Sequence, residues 1–183
     1  PIRQAIQTRT IVNFEYNLQV GERQFCFIAS ISPISENSAV WVARDISDRK
    51  QAEAALRRRA TRDNLISSIS RAFLDQDIDT AINFTLRAIG EHTECDRTYI
   101  LRYGNPQQNY WSMTHEWCAN GINSDREILQ GVSIQIFPWL HAQLQTGQIL
   151  CIPQIANLPP EAQADRQALE CLSIKSLINV PLL

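Results

Sequence analysis

Residues 44–53 read RDISDRKQAE, and the hydrophobic period of the chain changes inside this stretch. Just upstream, residues 39–46 are predicted to form a β-strand that bears Val40, Val42 and Arg44 on one face and Trp41, Ala43 and Asp45 on the other. From Ser47 onward the chain consists almost wholly of strong helix formers without Gly or Pro, which predicts a helix capped by Ser47. A strand that leads directly into a long helix indicates the α+β class.

Two further strands are predicted upstream of this junction. Apolar side chains recur at every second position in residues 11–20 and 24–34, and short polar turns at 21–22 and 36–38 separate the three segments. Such short connections predict antiparallel hairpins. Three strands alone have little apolar surface to bury, so this sheet is expected to need additional cover.

The helix that begins at Ser47 has apolar residues at a helical period, and these thin out across residues 57–64. The pattern fits one long helix or two helices joined near Thr61. A second amphipathic helix is expected to follow Asp77, its predicted cap. Beyond it, strands are expected at 97–102, 111–117, 149–152 and 177–182, a turn at 104–106, and helices at 139–145 and 159–172.

Composition narrows the range of functions. The 183 residues contain 17 Lys and Arg against 19 Asp and Glu, a net charge of −2, which argues against an electrostatic nucleic-acid or membrane binder. No apolar run approaches the roughly 20 residues of a membrane helix. Five widely spaced cysteines without a C-x-x-C pair predict buried free thiols. Together these features predict a soluble, cytoplasmic protein. A start at Pro1 and an end inside the apolar run at 179–183 lead us to expect a segment of a longer chain.

The strand-to-helix junction at 44–53 resembles the closing signature of PAS sensor domains, in which the last strand leads into a signalling helix. FEY at 14–16 and ISPI at 31–34 resemble the final strands of the same family. The resemblance implies that residues 1–46 are the C-terminal half of a PAS domain and that residues 47–64 are a linker signalling helix.

From residue 65 onward the chain resembles GAF sensor domains, in the form found in cyanobacterial multidomain two-component signalling proteins. The segments that carry the resemblance are ISRAF at 69–73, CDRTYI at 95–100, EWC at 116–118, FPWL at 137–140, LPPEA at 158–162 and IKSLI at 174–178. It implies that residues 65–183 are the N-terminal part of a GAF domain, an incomplete α/β sandwich. The implied function is sensing and relay to an output domain in cis, such as a histidine kinase or diguanylate cyclase.

The sequence contains no recognisable catalytic or metal-binding motif. The histidines are scattered and no nucleophile or phosphate-loop motif occurs, so the segment is not expected to be an enzyme. His115 and Cys118 are three apart on a predicted strand and would point to opposite faces, and the acidic run at 75–79 lacks the glycine of a calcium loop, so no metal is expected. Arg57 to Arg59 are interpreted as a solvated helix face.

Chromophore binding is the alternative function. GAF domains of bilin photoreceptors attach a tetrapyrrole to a cysteine that His commonly follows, and the matching helix here has Cys171 followed by Leu172. No cofactor is therefore indicated, although a bilin or another small ligand stays open. Four aromatic residues are the candidates to line a pocket, if they are not plain core: Trp111, Trp117, Phe137 and Trp139.

The signalling helix is expected to form a homodimer, because a relay rod needs a reference surface against which to rotate or shift. The candidate seam residues are Ala52, Leu56, Ile66, Ile69 and Phe73. The alternative is that residues 65–73 simply pack on their own domain. The sheets implied by the two resemblances are incomplete and leave unpaired backbone groups at their edges, so we expect neighbouring chains to cover these edges.

Overall fold

The computed structural model describes residues 1–104 and 109–182. Most of the turn predicted at 104–106 lies outside the described residues. The α+β class is confirmed: small antiparallel sheets accompany one long helix. The helices are α1 (Ile2–Thr8), α2 (Ser47–Asp75), α3 (Ile78–Thr93), α4 (Pro138–Leu144) and α5 (Gln163–Cys171). The strands are β1 (Val12–Val20), β2 (Arg23–Ser35), β3 (Ser38–Asp45), β4 (Arg97–Tyr103), β5 (Tyr110–Cys118), β6 (Val132–Ser133), β7 (Leu150–Ile152) and β8 (Leu177–Asn179).

The chain divides into two compact units, Pro1–Ser67 and Ser68–Leu183. The division falls inside α2, which is a single helix of 29 residues, so the alternative of two helices joined near Thr61 is excluded. At about 1.5 Å per residue, α2 is roughly 43 Å long. Every residue from 51 to 64 is exposed.

The first unit contains a sheet of order β1-β2-β3 with α1 at its start. Its three predicted strands are confirmed to within one residue at each end. Ala29 and Ile31 of β2 are buried. Phe14 lies opposite Ala29, and Trp41 lies opposite Ile31, so aromatic rings cover this face of the sheet.

The junction between β3 and α2 differs from its prediction. Ser47 is the first residue of α2 rather than its cap, and its hydroxyl accepts a hydrogen bond from the Cys26 N–H at 2.8 Å. Asp45 Oδ1 accepts from the Ser47 N–H at 2.8 Å, and hydrogen bonds from Ser47 lower the pKa of Asp45. The carboxylate thus satisfies a free N–H at the helix start, while Ser47 ties the helix to β2.

The second unit has a sheet of order β4-β5-β6 and a separate pair, β7-β8. Asp77 is confirmed as the cap of α3, since its carboxylate accepts from the Thr80 N–H at 3.0 Å. Hydrogen bonds from the Thr80 hydroxyl and N–H lower the pKa of Asp77. The predicted helix at 159–172 begins as a 3-10 turn, and the last strand ends at Asn179 instead of 182.

The core of the second unit lies between the β4-β5 face and the helices that follow the sheet. Its buried members are Trp111, Phe137, Leu140, Ile152, Ile155 and Leu169. The cysteines contribute little to any core, contrary to their prediction. All five are free thiols, with Cys151 and Cys171 exposed and the others half-buried.

Candidate functional site

A narrow cavity lies in the second unit, between β4 and β5 on one side and α4 and α5 on the other. Its lining is mostly apolar, with Arg97, Tyr99 and Asn179 as polar members. About 30 Å³ is open to the centre of a water-sized sphere. That is room for about two water molecules and is well below the few hundred Å³ of typical ligand pockets.

Tyr99 and Trp111, which line this cavity, differ in whether their polar groups have a hydrogen-bond partner. The Tyr99 hydroxyl donates to Asn179 Oδ1 at 3.0 Å, which ties β4 to β8, and burial raises the pKa of Tyr99. Trp111 is buried, and its indole N–H has no hydrogen-bond partner among the described residues. A buried donor without a partner costs free energy unless a ligand or water accepts from it.

A β-bulge decides which aromatic residues reach the cavity. Ile100 pairs with His115 but Leu101 pairs with Met113, so Thr114 is an extra residue in β5. The insertion reverses the alternation of side chains along the strand. Trp111 therefore lines the cavity, while Trp117, six residues on, lies on the opposite face of the sheet with its ring against Gly90 of α3.

The four aromatic candidates consequently do not form one site. Phe137 lines the cavity with Trp111, and their ring centres are 5.2 Å apart in an edge-to-face arrangement. Trp139 instead lines a shallow depression beside β7. Trp117 lies on the α3 side of the sheet, where the Thr98 hydroxyl also donates to the Leu86 carbonyl at 2.8 Å.

An ion cluster beside the cavity was not predicted from the sequence. Arg97 Nε lies 3.1 Å from Glu116 Oε1, and a second guanidinium nitrogen pairs with Asp125. The Glu116 side chain is only 2% exposed. Burial by itself would lower the pKa of Arg97, but the hydrogen bonds and negative charges of its neighbours, chiefly Asp125 and then Cys118 and Glu116, together outweigh it, so the pKa is raised.

The cluster holds the loop between β5 and β6 on the sheet. Arg97 also donates to the Asn123 carbonyl at 2.7 Å, and the Asp125 N–H donates to Glu116 Oε1 at 3.2 Å. Further along the same loop, the Leu129 carbonyl accepts from the Met113 N–H at 2.8 Å. Because Leu129 lines the cavity, the ion cluster positions one of the cavity walls.

Asp165 is a second residue that sequence reasoning missed. It lies in α5 with 0% exposure, and its two carboxyl oxygens accept from the backbone N–H groups of Leu140 at 2.8 Å and Trp139 at 3.2 Å. These N–H groups belong to the first turn of α4, which has no cap of its own. A carboxylate there is favoured by the free donors and by the helix dipole.

The candidate seam residues on α2 fall into two groups. Leu56 is 68% exposed and Ile66 is 55% exposed, and Ala52 is exposed as well. Phe73 is also exposed, whereas Ile69 is half-buried. Ala72 is the buried residue of the helix. The seam is therefore open to solvent along its N-terminal part.

His115 and Cys118 do not come together as metal ligands. His115 Nε2 lies 3.2 Å from Asp79 Oδ1 of α3, while Cys118 lies on the opposite face of the sheet, beside Arg97. Within residues 1–104 and 109–182, no three His, Cys, Asp or Glu side chains are grouped closely enough to hold a metal ion. Cys171, the candidate residue for bilin attachment, is exposed at the end of α5.

Comparison with known proteins yields no family model that matches the chain and no curated protein with significant similarity to it. Among the helices that the structure describes, none combines the length and the apolar character needed to cross a bilayer.

Proposed function

We propose that this chain is a sensory and signal-relay segment of a multidomain two-component-type signalling protein. In this proposal residues 1–46 are the end of a PAS domain, residues 47–64 are the signalling helix, and residues 65–183 are the first part of a GAF domain. The proposal rests on the sequence segments that resemble these families. The structural observation that carries it is α2, a single helix of 29 residues in which every residue from 51 to 64 is exposed.

A long helix exposed all round is unusual unless another helix covers it or ion pairs support it. The exposed Leu56 and Ile66 favour cover by a second helix. We therefore include a homodimer in the proposal, with α2 as its interface. Rotation or register shift of the paired helices would then transmit a change from one sensor unit to the next.

The proposal places the chain in the cytoplasm, upstream of an output domain in cis such as a histidine kinase or diguanylate cyclase. Five free thiols support a reducing compartment. The segment itself is proposed to be non-catalytic and to bind neither nucleic acid nor membrane, in keeping with a net charge of −2.

The test uses the full-length protein and measures its output activity as α2 is lengthened between Arg58 and Arg59. Seven inserted helical residues return the downstream chain to nearly the same face, whereas two rotate it by about 200°. We expect regulated output with the seven-residue insertion and loss of regulation with the two-residue insertion. Equal output from both variants would contradict a relay through α2.

Binding of a small ligand in the cavity is a second candidate function, and the unpartnered Trp111 N–H is the observation that favours it. A bilin would need far more room than about 30 Å³. Visible absorbance of the protein expressed with a bilin supply separates the two cases. A covalent bilin band would favour the photoreceptor alternative, and a colourless protein would leave relay or a smaller ligand.

A further inference from the structure

One face of α2 carries side chains at the spacing of a coiled coil. Starting from Ala52, its members in the first unit follow at intervals of four, three, four and three residues: Ala52, Leu56, Arg59, Asp63 and Ile66. We call this set the α2 stripe. An average of 3.5 residues is the repeat that keeps one face of a helix against a partner helix. All five side chains are exposed, so nothing in the first unit covers the stripe.

Two charged residues occupy the middle of the α2 stripe, where a coiled coil ordinarily has apolar residues. Arg59 Nε lies 3.7 Å from Asp63 Oδ2 of the same helix, Arg62 donates to Asp63 Oδ1 at 3.4 Å, and all three side chains are more than half exposed. Exposed pairs at these distances add little to helix stability. The intrahelical ion pair therefore gives no sufficient reason for these residues to stand on the apolar face.

The sequence of charges on the α2 stripe is self-complementary. If two copies of the α2 stripe face each other, each Arg59 lies within reach of the carboxylate of the partner's Asp63, which occupies the next position of the stripe. Leu56 and Ile66 then supply apolar contacts on either side of the charged layer. A polar layer inside an apolar seam specifies partner and register at some cost in stability.

We propose that the α2 stripe binds a second copy of this chain, and that each Arg59 pairs with the carboxylate of the partner's Asp63. The inference rests on the dimer in the proposed function and adds the residue pair that selects the partner. The ion pair within each helix and the ion pair between helices use the same two side chains. Association would thus exchange the Arg59–Asp63 pair within each helix for the pair between helices, so that both charges on the α2 stripe keep a partner.

Charge reversal in the full chain tests this pairing. Arg59→Asp leaves only acidic residues in the middle of the stripe, and Asp63→Arg leaves only basic ones. We expect each single variant to dimerise about tenfold more weakly or worse, since like charges then face each other. An equimolar mixture of the two variants restores opposite charges and should form heterodimers within about threefold of the wild-type affinity. Arg58→Asp, an exposed neighbour off the stripe, is the matched control for the change of net charge.

Sedimentation equilibrium gives the dissociation constants, and circular dichroism checks that each variant keeps its helix content. If the wild type dimerises but Arg59→Asp behaves like Arg58→Asp, the pairing is wrong while the dimeric relay stands. Failure of the mixture to recover association also overturns the pairing. A wild-type chain that stays monomeric, or that associates only with a different protein, overturns both this inference and the proposed dimer.

Discussion

Replacement of Asp165 by Ala should destabilise the second unit strongly. The side chain is 0% exposed and accepts two backbone hydrogen bonds at the start of α4, at 2.8 and 3.2 Å. Hydrogen bonds to a charged group contribute about 1.5–3 kcal/mol each, and removal of a helix cap alone costs about 0.5–2 kcal/mol. We expect a loss of about 3 kcal/mol, because Leu140 is buried and its N–H would lose the carboxylate oxygen that accepts from it.

Urea denaturation of the full chain measures this loss. Trp111, Trp117 and Trp139 all lie in the second unit, so a Trp41→Phe background makes tryptophan fluorescence specific to that unit. With a slope of about 2 kcal/mol per molar urea, the midpoint should fall by about 1.5 M. Asp165→Asn keeps the shape and one acceptor oxygen, and should lose about half as much. A midpoint shift below about 0.3 M for Asp165→Ala would refute the capping role.

Three other perturbations have outcomes set by local geometry. Gly90→Ala places a methyl group against the ring of Trp117, and should lower the free energy of unfolding by about 1–3 kcal/mol despite the better helix propensity of Ala. In urea denaturation, the loss in the double variant with Trp117→Leu should be smaller than the sum of the two single losses. The pKa of Asp77 is lowered in the folded state, so its ionised carboxylate adds to the stability of the fold above the unfolded pKa of about 3.9, and this stabilisation is lost as pH falls through the folded pKa. Asp77→Ala should remove this part of the acid unfolding transition followed by circular dichroism. Arg97→Met leaves the buried charge of Glu116 without its partner and should lower the free energy of unfolding by about 3–5 kcal/mol. Addition of Glu116→Gln to the same chain should recover part of this loss. An unchanged urea midpoint for Arg97→Met would contradict a stabilising role for the ion cluster.

Alternation of side chains was sufficient to predict β1, because its two faces differ in apolar content along the whole strand, whereas β2 and β3 were also recognisable from the short polar turns that flank them. The absence of Gly and Pro was sufficient to predict a helix from Ser47 onward, although not that α2 continues past Thr61 as a single helix. Asp77 was recognisable as a cap because it stands directly before an amphipathic run. These signals are local, and each is contained within a few consecutive residues.

The features that organise the cavity depend on residues far apart in the sequence. The bulge at Thr114 has no signature in the strand itself, so strict alternation places Trp111 and Trp117 on one face when they lie on two. Asp165 caps a helix that begins 27 residues earlier, and Arg97 meets Asp125 across 28 residues. Such contacts follow from tertiary packing and cannot be derived from a periodic pattern.

The mass of the chain in solution is the most direct test of the proposed relay. Sedimentation equilibrium across a range of concentrations should show a reversible dimer for the wild type. Leu56→Arg places a charge in the α2 stripe and should shift the chain toward monomer, while Ala54→Arg, on the opposite side of the helix, should leave the dimer intact. A Leu56→Arg variant with the mass of the wild-type dimer would contradict an interface along α2.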